Sequence, residues 1–379
     1  MANYVADLLR RPFDNSESIP GLVVSGIPLL VSIPFKAIAM AFNPDSFTVE
    51  NGEAEAEHID PTQTITLMSW NVLGFFAKQA KGENRPFWQN RIEQITPIIN
   101  DSKPDILGLQ ETHTGNSFYS AIIGATSRIF ASFTKDILPK SFMFGAGLMS
   151  ASKFTVATRR TYDFNVKGGN DASFVRKGFY IEEYHSATDE LVMRVAISHF
   201  QSGKADEVHD IDTAGMTRAN ELNPLATGTQ LNCAQIRDLQ AQQVINTMRA
   251  LDAEQPAKAN LLMGDLNVDR ASDMHMKPWG EDSQSVLDPE AGEVIDGFYR
   301  DGGGERVEGQ LTPEEYTQTD LKSDHTPDTL EAVDNIVAIR KETNGEAGCT
   351  LVTKGVSNYA SYDDPSDHMA LLAEVTLTT

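Results

Sequence analysis

Several polar residues able to bind a metal or move a proton recur at one kind of position in this chain, the end of an apolar run. LLMGDLNVD, residues 261–269, ends in Gly264, Asp265, Leu266 and Asn267, and Asp and Asn both resist strand structure. An acceptor-only carboxylate and an amide held at a strand end suit a metal ion or an attacking water. Similar residues stand at Asn71 in SWN, Glu111 in LQE and His199 in SHFQ. Asp334 lies inside EAVDNIVAI, and Asp367 and His368 in PSDH precede the last apolar run. Each alone reads equally well as a turn, a helix cap or a satisfied surface group. Together they are eight residues of the hard-ligand or proton-transfer type, on or beside strands. In α/β sheets ligands gather at one end of the strands, so these residues could converge on one site.

The elements that must carry them alternate from about Thr62. TQTITLMSWNV (62–72) and PDILGLQET (104–112) suit buried strands, and FWQNRIEQITPIIND between them spaces Phe87, Ile92, Ile95 and Ile99 as a helix. Pro97 is expected to kink or shorten that helix. FVRKGFYIEEYH and LVMRVAISHF flank SATDE as a hairpin. CAQIRDLQAQQVINTMRAL sets Ile236, Leu239, Ile245, Met248 and Leu251 on one helical face. The strand of the opening motif follows, then EAVDNIVAIR and MALLAEVTLTT. Residues 203–232 and 269–330 are too long for simple turns and are candidate substrate-facing insertions.

Two domains' worth of organisation is expected: an arm and linker over 1–60, and a catalytic domain over 61–379. Ile19 to Phe42 is almost wholly apolar, yet Pro20, Pro28, Pro34 and Lys36 break it, which argues against a straight membrane-spanning helix. It reads as a signal peptide, with Arg10 and Arg11 ahead and Ala37-Ile38-Ala39 behind, as a membrane-interfacial arm, or as an arm packed on the domain. Asp7, Asp14 and Glu17 spoil the basic leader. The segment favours a secreted or membrane-associated chain over a plain cytoplasmic one. Glu50 to His58 is acidic, lacks large apolar residues and reads as a linker. The formal net charge of −23 disfavours binding along a nucleic-acid backbone without excluding it, because a divalent cation can supply local positive charge. With only Cys233 and Cys349, no disulfide framework or four-cysteine zinc site is available, and two buried thiols are expected rather than a bridge.

SWN, LQE, a strand-end histidine, GDLN and SDH, in that order, resemble the endonuclease/exonuclease/phosphatase superfamily, the DNase-I-like magnesium-dependent phosphoesterases. The resemblance covers roughly Thr62 to Thr379. It implies an α/β fold, a two-sheet sandwich with outer helices and the cleft at one sheet edge. It also implies Mg²⁺, or Mn²⁺ or another divalent cation, held by Asn71, Glu111 and Asp367. Asp265 and Asn267 would orient water and hold a phosphoryl oxygen. His368 would accept the proton with its tautomer fixed by Asp334, and His199 would donate to the phosphoryl group or the leaving oxygen.

Finer features resemble the neutral and bacterial sphingomyelinase branch. These are Asp171 ahead of Lys177-Gly178, His199-Phe200-Gln201-Ser202, and Arg237 with Gln240. They imply substrate contacts from Lys177, Gln201 and Arg237, and a phospholipid or other phosphodiester substrate. Two departures stand out: Asn335 follows Asp334 where the family usually has an aromatic or histidine, and the segment between His199 and Cys233 is long. A nuclease or nucleotide phosphodiesterase, a phosphoinositide-type phosphatase and a non-enzymatic binding module remain the alternatives.

Overall fold

The computed structural model describes residues 47–73, 88–112, 116–135, 145–169, 176–268, 277–281, 283–296, 318–321, 327–331, 333–342, 345–355, 366 and 368–378. Two mixed sheets pack face to face with helices outside them. The first sheet contains β1 (Thr48–Asn51), β2 (Thr64–Asn71), β3 (Ile106–Gln110), β4 (Ser132–Lys135), β5 (Met149–Ser152), β16 (Cys349–Gly355) and β17 (Leu371–Leu377), in the order β1-β4-β5-β3-β2-β17-β16. The second contains β6 (Val156–Asp163), β7 (Gly178–His185), β8 (Leu191–His199), β11 (Ala259–Asp265), β12 (Val294–Asp296) and β15 (Asp334–Ile339), in the order β12-β15-β11-β8-β7-β6. Two short antiparallel pairs stand apart, β9 (Val208–Asp210) with β10 (Gln230–Asn232), connected through helix α3 (Thr213–Leu222), and β13 (Gln318–Leu321) with β14 (Pro327–Glu331).

Alternating burial explains the layers. Ile65, Leu67, Val195, Ile197, Leu261, Met263, Ile336 and Val375 meet between the sheets. Their neighbours Met68, Trp70, Leu107 and Leu109 point outward against α1 (Trp88–Ser102) and α2 (Asn116–Thr126). On the other outer face, Ile181, Ala196, Leu262 and Val337 pack under α4 (Cys233–Glu254), through its Val244, Ile245, Met248 and Leu251. A strand covered on both faces reads as a near-continuous apolar run, which is how β8 and β11 look apart from the buried Arg194, Ser198 and Asn260.

The hairpin forms as its sequence suggests, with Phe179 paired to Ser198 and Tyr184 to Met193. Helix α1 keeps Ile92, Ile95 and Ile99 buried but runs on past Pro97 to Ser102 instead of ending near it. Phe87 lies outside the described residues. The stretch expected as a linker, Glu50–His58, is tied by backbone pairing at its start and its end. β1 pairs with β4 from Thr48 to Asn51, Gly52 N donates to Ala131 O, and Ile59 is buried between the sheets. Backbone pairing with an edge strand needs no apolar side chains, so an acidic composition could not reveal it. The apolar stretch 19–42 lies outside the described residues.

Candidate active site

Strand register builds the site. Asp265, the last residue of β11, is paired with His199, the last of parallel β8, and with Asp334, the first of antiparallel β15. Registered residues share a face, so all three side chains leave the second sheet at one edge. In the first sheet Asn71 ends β2 and Glu111 follows directly on β3, while His368 precedes β17, which runs the other way. The same edge therefore receives all of them.

Their contacts form one connected set. Asn71 Nδ2 donates to Asp265 Oδ2 at 2.9 Å and lies 3.2 Å from Glu111 Oε1. His368 Nδ1 meets Asp334 Oδ2 at 2.7 Å, with both side chains buried. The other ring nitrogen, Nε2, lies 3.9 Å from Asp265 Oδ2, and His199 Nε2 lies 3.4 Å from that oxygen. Asn267 N donates to Asp265 Oδ1 at 3.0 Å. Like charges placed directly opposite in a sheet are destabilising, and here Asp265 faces Asp334 at 2% and 0% exposure. The imidazole of His368 set between them is the structural answer to that cost.

The backbone is strained around this set. Among the described residues, five non-glycine residues have positive φ, and Leu73 (49°), Glu111 (57°) and Asn267 (51°) are at the site. Asparagine tolerates the left-handed region, whereas leucine and glutamate do not. Gly264, at φ 154°, has no room for a side chain, because an added Cβ would stand 1.9 Å from Ser198 O on β8. That close approach is what brings Asp265 level with His199.

Three supporting residues were quoted within motifs but not singled out as functional. Trp70 Nε1 donates to His368 O at 2.8 Å. Ser366 Oγ donates to Asn71 O at 2.6 Å and accepts from His368 N at 3.1 Å, so it ties the histidine's loop to β2. Asn335, the departure from the family pattern, is buried and donates to Val333 O and Val268 O, fastening the turn after Asp265. The SWN and SDH motifs held the first two. The third is marked in the sequence only as a departure from the family pattern.

Lys177, Gln201 and Arg237 are buried beside the segment that leaves β8. Lys177 Nζ donates to Phe200 O, the carbonyl that Asn267 Nδ2 also approaches, at 3.4 Å. Gln201 Oε1 accepts from Gly168 N, its Nε2 donates to Ser202 O, and Arg237 donates to Gly203 O. These bonds shape the turn after His199. Asp171 and Asp367 lie outside the described residues.

Two carboxylates, Glu111 and Asp265, converge on a single amide nitrogen, and acceptor-only oxygens gathered in this way fit a hard divalent cation. Asn71 turns its Nδ2 toward them, while its Oδ1 accepts from Leu73 N at 3.0 Å. As an oxygen ligand its amide would have to turn over. Asp265, Asp334 and His368 also offer ligand atoms that lie within 4.8 Å of one another.

The comparisons with known proteins agree with this geometry. The model of the Endonuclease/Exonuclease/phosphatase family matches residues 68–368, most of the chain. The chain belongs to this family. It is accordingly a metal-dependent phosphoric ester hydrolase of phosphodiesterase type. Among solved structures, sphingomyelinase C from Streptomyces griseocarneus superposes with a TM-score of 0.51 at 16% identity, over 83% of this chain and 99% of that one. A mutant beta toxin from Staphylococcus aureus with bound magnesium ions gives 0.53 at 16%, over 82% and 99%. At such identities the likeness shows the fold, the DNase-I-like sandwich. A search of curated protein sequences gives no match.

Proposed function

We propose that this member of the Endonuclease/Exonuclease/phosphatase family is a Mg²⁺-dependent phosphodiesterase that removes the phosphorylated head group of a phospholipid, as a sphingomyelinase does. The observation that carries the chemistry is His368, bound through Nδ1 to Asp334 and aimed through Nε2 toward Asp265. A carboxylate that fixes the Nδ1–H tautomer leaves Nε2 free to accept a proton. Nε2 would take it from the attacking water, and Asp265 and Asn267 would hold that water or a phosphoryl oxygen. His199, at the same carboxylate, would donate to the phosphoryl group or the leaving oxygen. Glu111 and Asp265, with Asn71 after its amide turns and with Asp367, are the candidate holders of the cation. When bound, the cation would neutralise charge building on the phosphoryl oxygens.

The lipid reading is supported by Lys177 and the His199–Ser202 segment. The lysine before β7 and the turn after β8 are joined through Phe200 O, and Gln201 is tied to Gly168 N, so both lie beside the turn that follows His199. A second support is the apolar stretch 19–42. Shallow insertion of such an arm would offset the repulsion between a chain of charge −23 and an anionic bilayer. No helix among the described residues is long and apolar enough to cross a membrane. In this reading the chain is secreted or membrane-associated, with an arm preceding residue 47 and the chemistry following it.

The test is a substrate panel with Mg²⁺: sphingomyelin, a lysophospholipid, a phosphoinositide, and single- and double-stranded DNA and RNA. Head-group release from sphingomyelin or the lysophospholipid is expected to exceed every other activity. Preference for a nucleic acid or for a phosphoinositide monoester would overturn the lipid assignment. Removing residues 1–46, which leaves β1 intact, is expected to weaken liposome binding while sparing hydrolysis of a soluble phosphodiester. Unchanged liposome binding would remove the arm from the account.

A further inference from the structure

The insertion at 203–232 carries a second cluster of ligand-type side chains, apart from the strand-end carboxylates. We propose that Glu207, His209 and Cys233 form a zinc site that pins the start of this insertion to the first residue of α4. They come from two pieces of chain: Glu207 and His209 on either side of Val208 at the start of β9, and Cys233 as the first residue of α4. Their ligand atoms all lie within 4.8 Å of one another. His209 Nε2 is 3.2 Å from Cys233 Sγ and 3.7 Å from Glu207 Oε1. In a tetrahedral zinc site, bonds of about 2.3 Å to sulfur and about 2.0–2.1 Å to nitrogen and oxygen set a sulfur–nitrogen edge near ~3.5 Å and a nitrogen–oxygen edge near ~3.3 Å. The two observed edges come within about 0.4 Å of those values, so closing on an ion needs only small rotations of the side chains.

The backbone already holds the three in place. β9 and β10 pair with His209 opposite Leu231 and Val208 opposite Asn232, and Cys233 N donates to Glu207 O at 2.9 Å. Asn232 caps α4 through a reciprocal bond with Gln235, which fixes where the cysteine sits. Gly203, at φ 108°, is the residue that leaves space: an added Cβ would stand 2.7 Å from Glu207 Oε2 and 3.1 Å from Cys233 Sγ. The His209 ring lies against Gly168 just as closely, its Cδ2 only 2.7 Å from where a Cβ would be.

The donor set selects the metal. A thiolate with an imidazole suits zinc and not magnesium, which prefers oxygen alone. Cys233 is the first residue of a 22-residue helix, and binding an ion as a thiolate would release its proton to solvent. The Glu207 side chain is 53% exposed, which leaves one side of the cluster open to a water as fourth ligand. Cys233 Sγ also lies 3.3 Å from Ser202 O, and Arg237 donates to Gly203 O. The Sγ–H donates to Ser202 O, so binding an ion would give up that bond with the proton and would instead hold β9 to the start of α4. The site does not depend on the phosphodiesterase reading.

Cobalt(II), a coloured substitute for zinc, tests this on the full reduced chain, stripped by a chelator and kept in excess Mg²⁺ to fill any oxygen site. One equivalent is expected to bind with a sulfur-to-cobalt charge-transfer band in the ultraviolet, which Zn²⁺ then abolishes. Cys233→Ser and His209→Ala are expected to lose the band, and Cys349→Ser to keep it. Burial pushes the Cys349 thiol up to about 12, against a small lowering by Lys341, so it competes weakly. Should Cys233→Ser fail to fold, the Cys349→Ser chain decides, because zinc is expected to slow modification of its remaining thiol at least tenfold. Absence of the band in the unmodified chain, its survival in Cys233→Ser, or a thiol no slower with zinc would each overturn the proposal.

Discussion

Replacing Asp334 by asparagine changes one atom group at the centre of the candidate site and nearly nothing of its volume. The aspartate is fully buried and holds His368 Nδ1 at 2.7 Å, a distance typical of a charge-assisted bond. An amide there cannot stabilise the imidazolium by charge, and its NH₂ can impose the wrong tautomer on the ring. Positioned acid–base groups are worth about 10²–10⁴ in rate, so turnover is expected to fall by that factor, or about 3–5.5 kcal/mol of barrier. The melting temperature should hold or rise, because the substitution removes one of two carboxylates facing each other across β11 and β15. Turnover is read on a soluble phosphodiester with Mg²⁺, alongside thermal unfolding. The decisive comparison is with His368→Ala. If Asp334 acts only through the histidine, adding Asp334→Asn to His368→Ala costs almost nothing further. Losses that multiply in the double variant would refute the argument and leave Asp334 a structural residue.

Glu111→Gln is expected to cut turnover by orders of magnitude with little change in melting temperature, and EDTA should abolish activity; full turnover in EDTA would sink the metal-dependent mechanism. His199→Ala should lose about 10²–10⁴ in turnover with its fold intact by circular dichroism, and a smaller loss would remove it as proton donor. Gly264→Ala must push Ser198 O away by more than about 1 Å, and misplacement on that scale costs on the order of 10²-fold in rate. Normal turnover in that variant would show that the β8–β11 approach does not set the geometry. Glu183→Gln tests a structural pair, since Glu183 Oε1 accepts from the fully buried Arg194 at 2.8 Å. Burial raises the Glu183 carboxyl, but the bond and charge of Arg194, with Arg160, outweigh it and leave the pKa lowered. A lowered folded pKa gives stability that is present above the unfolded value and lost as pH falls. Arg194 keeps Asp252 and the Leu251 and Gln255 carbonyls, so denaturant unfolding should show a loss of about 1.5–3 kcal/mol at neutral pH, narrowing as the pH drops below the ordinary glutamate range. A pH-independent gap would contradict that account.

What the sequence determined by itself was the set of elements and the polar residues at their ends. Apolar runs of strand length with a sudden Asn, Glu, His or Asp are local signals, and β2, β3, β8 and β11 carry them whatever they pack against. Ile236, Leu239, Ile245, Met248 and Leu251 likewise announce α4 by period alone. Tertiary structure decided which of those ends meet. The pairing of Asp265 with Asp334 spans 69 positions and that of His368 with Asp334 spans 34, and sequence period carries no information about register across such distances. The direction of the Asn71 amide was equally hidden, because it depends on Leu73 N and on two carboxylates brought from β3 and β11. Thr48 to Asn51 joined a sheet through backbone bonds that composition does not encode. Glu207, His209 and Cys233 looked like unrelated loop residues until β9, β10 and the start of α4 closed on one another, since ligand geometry exists only once the backbone has turned back on itself.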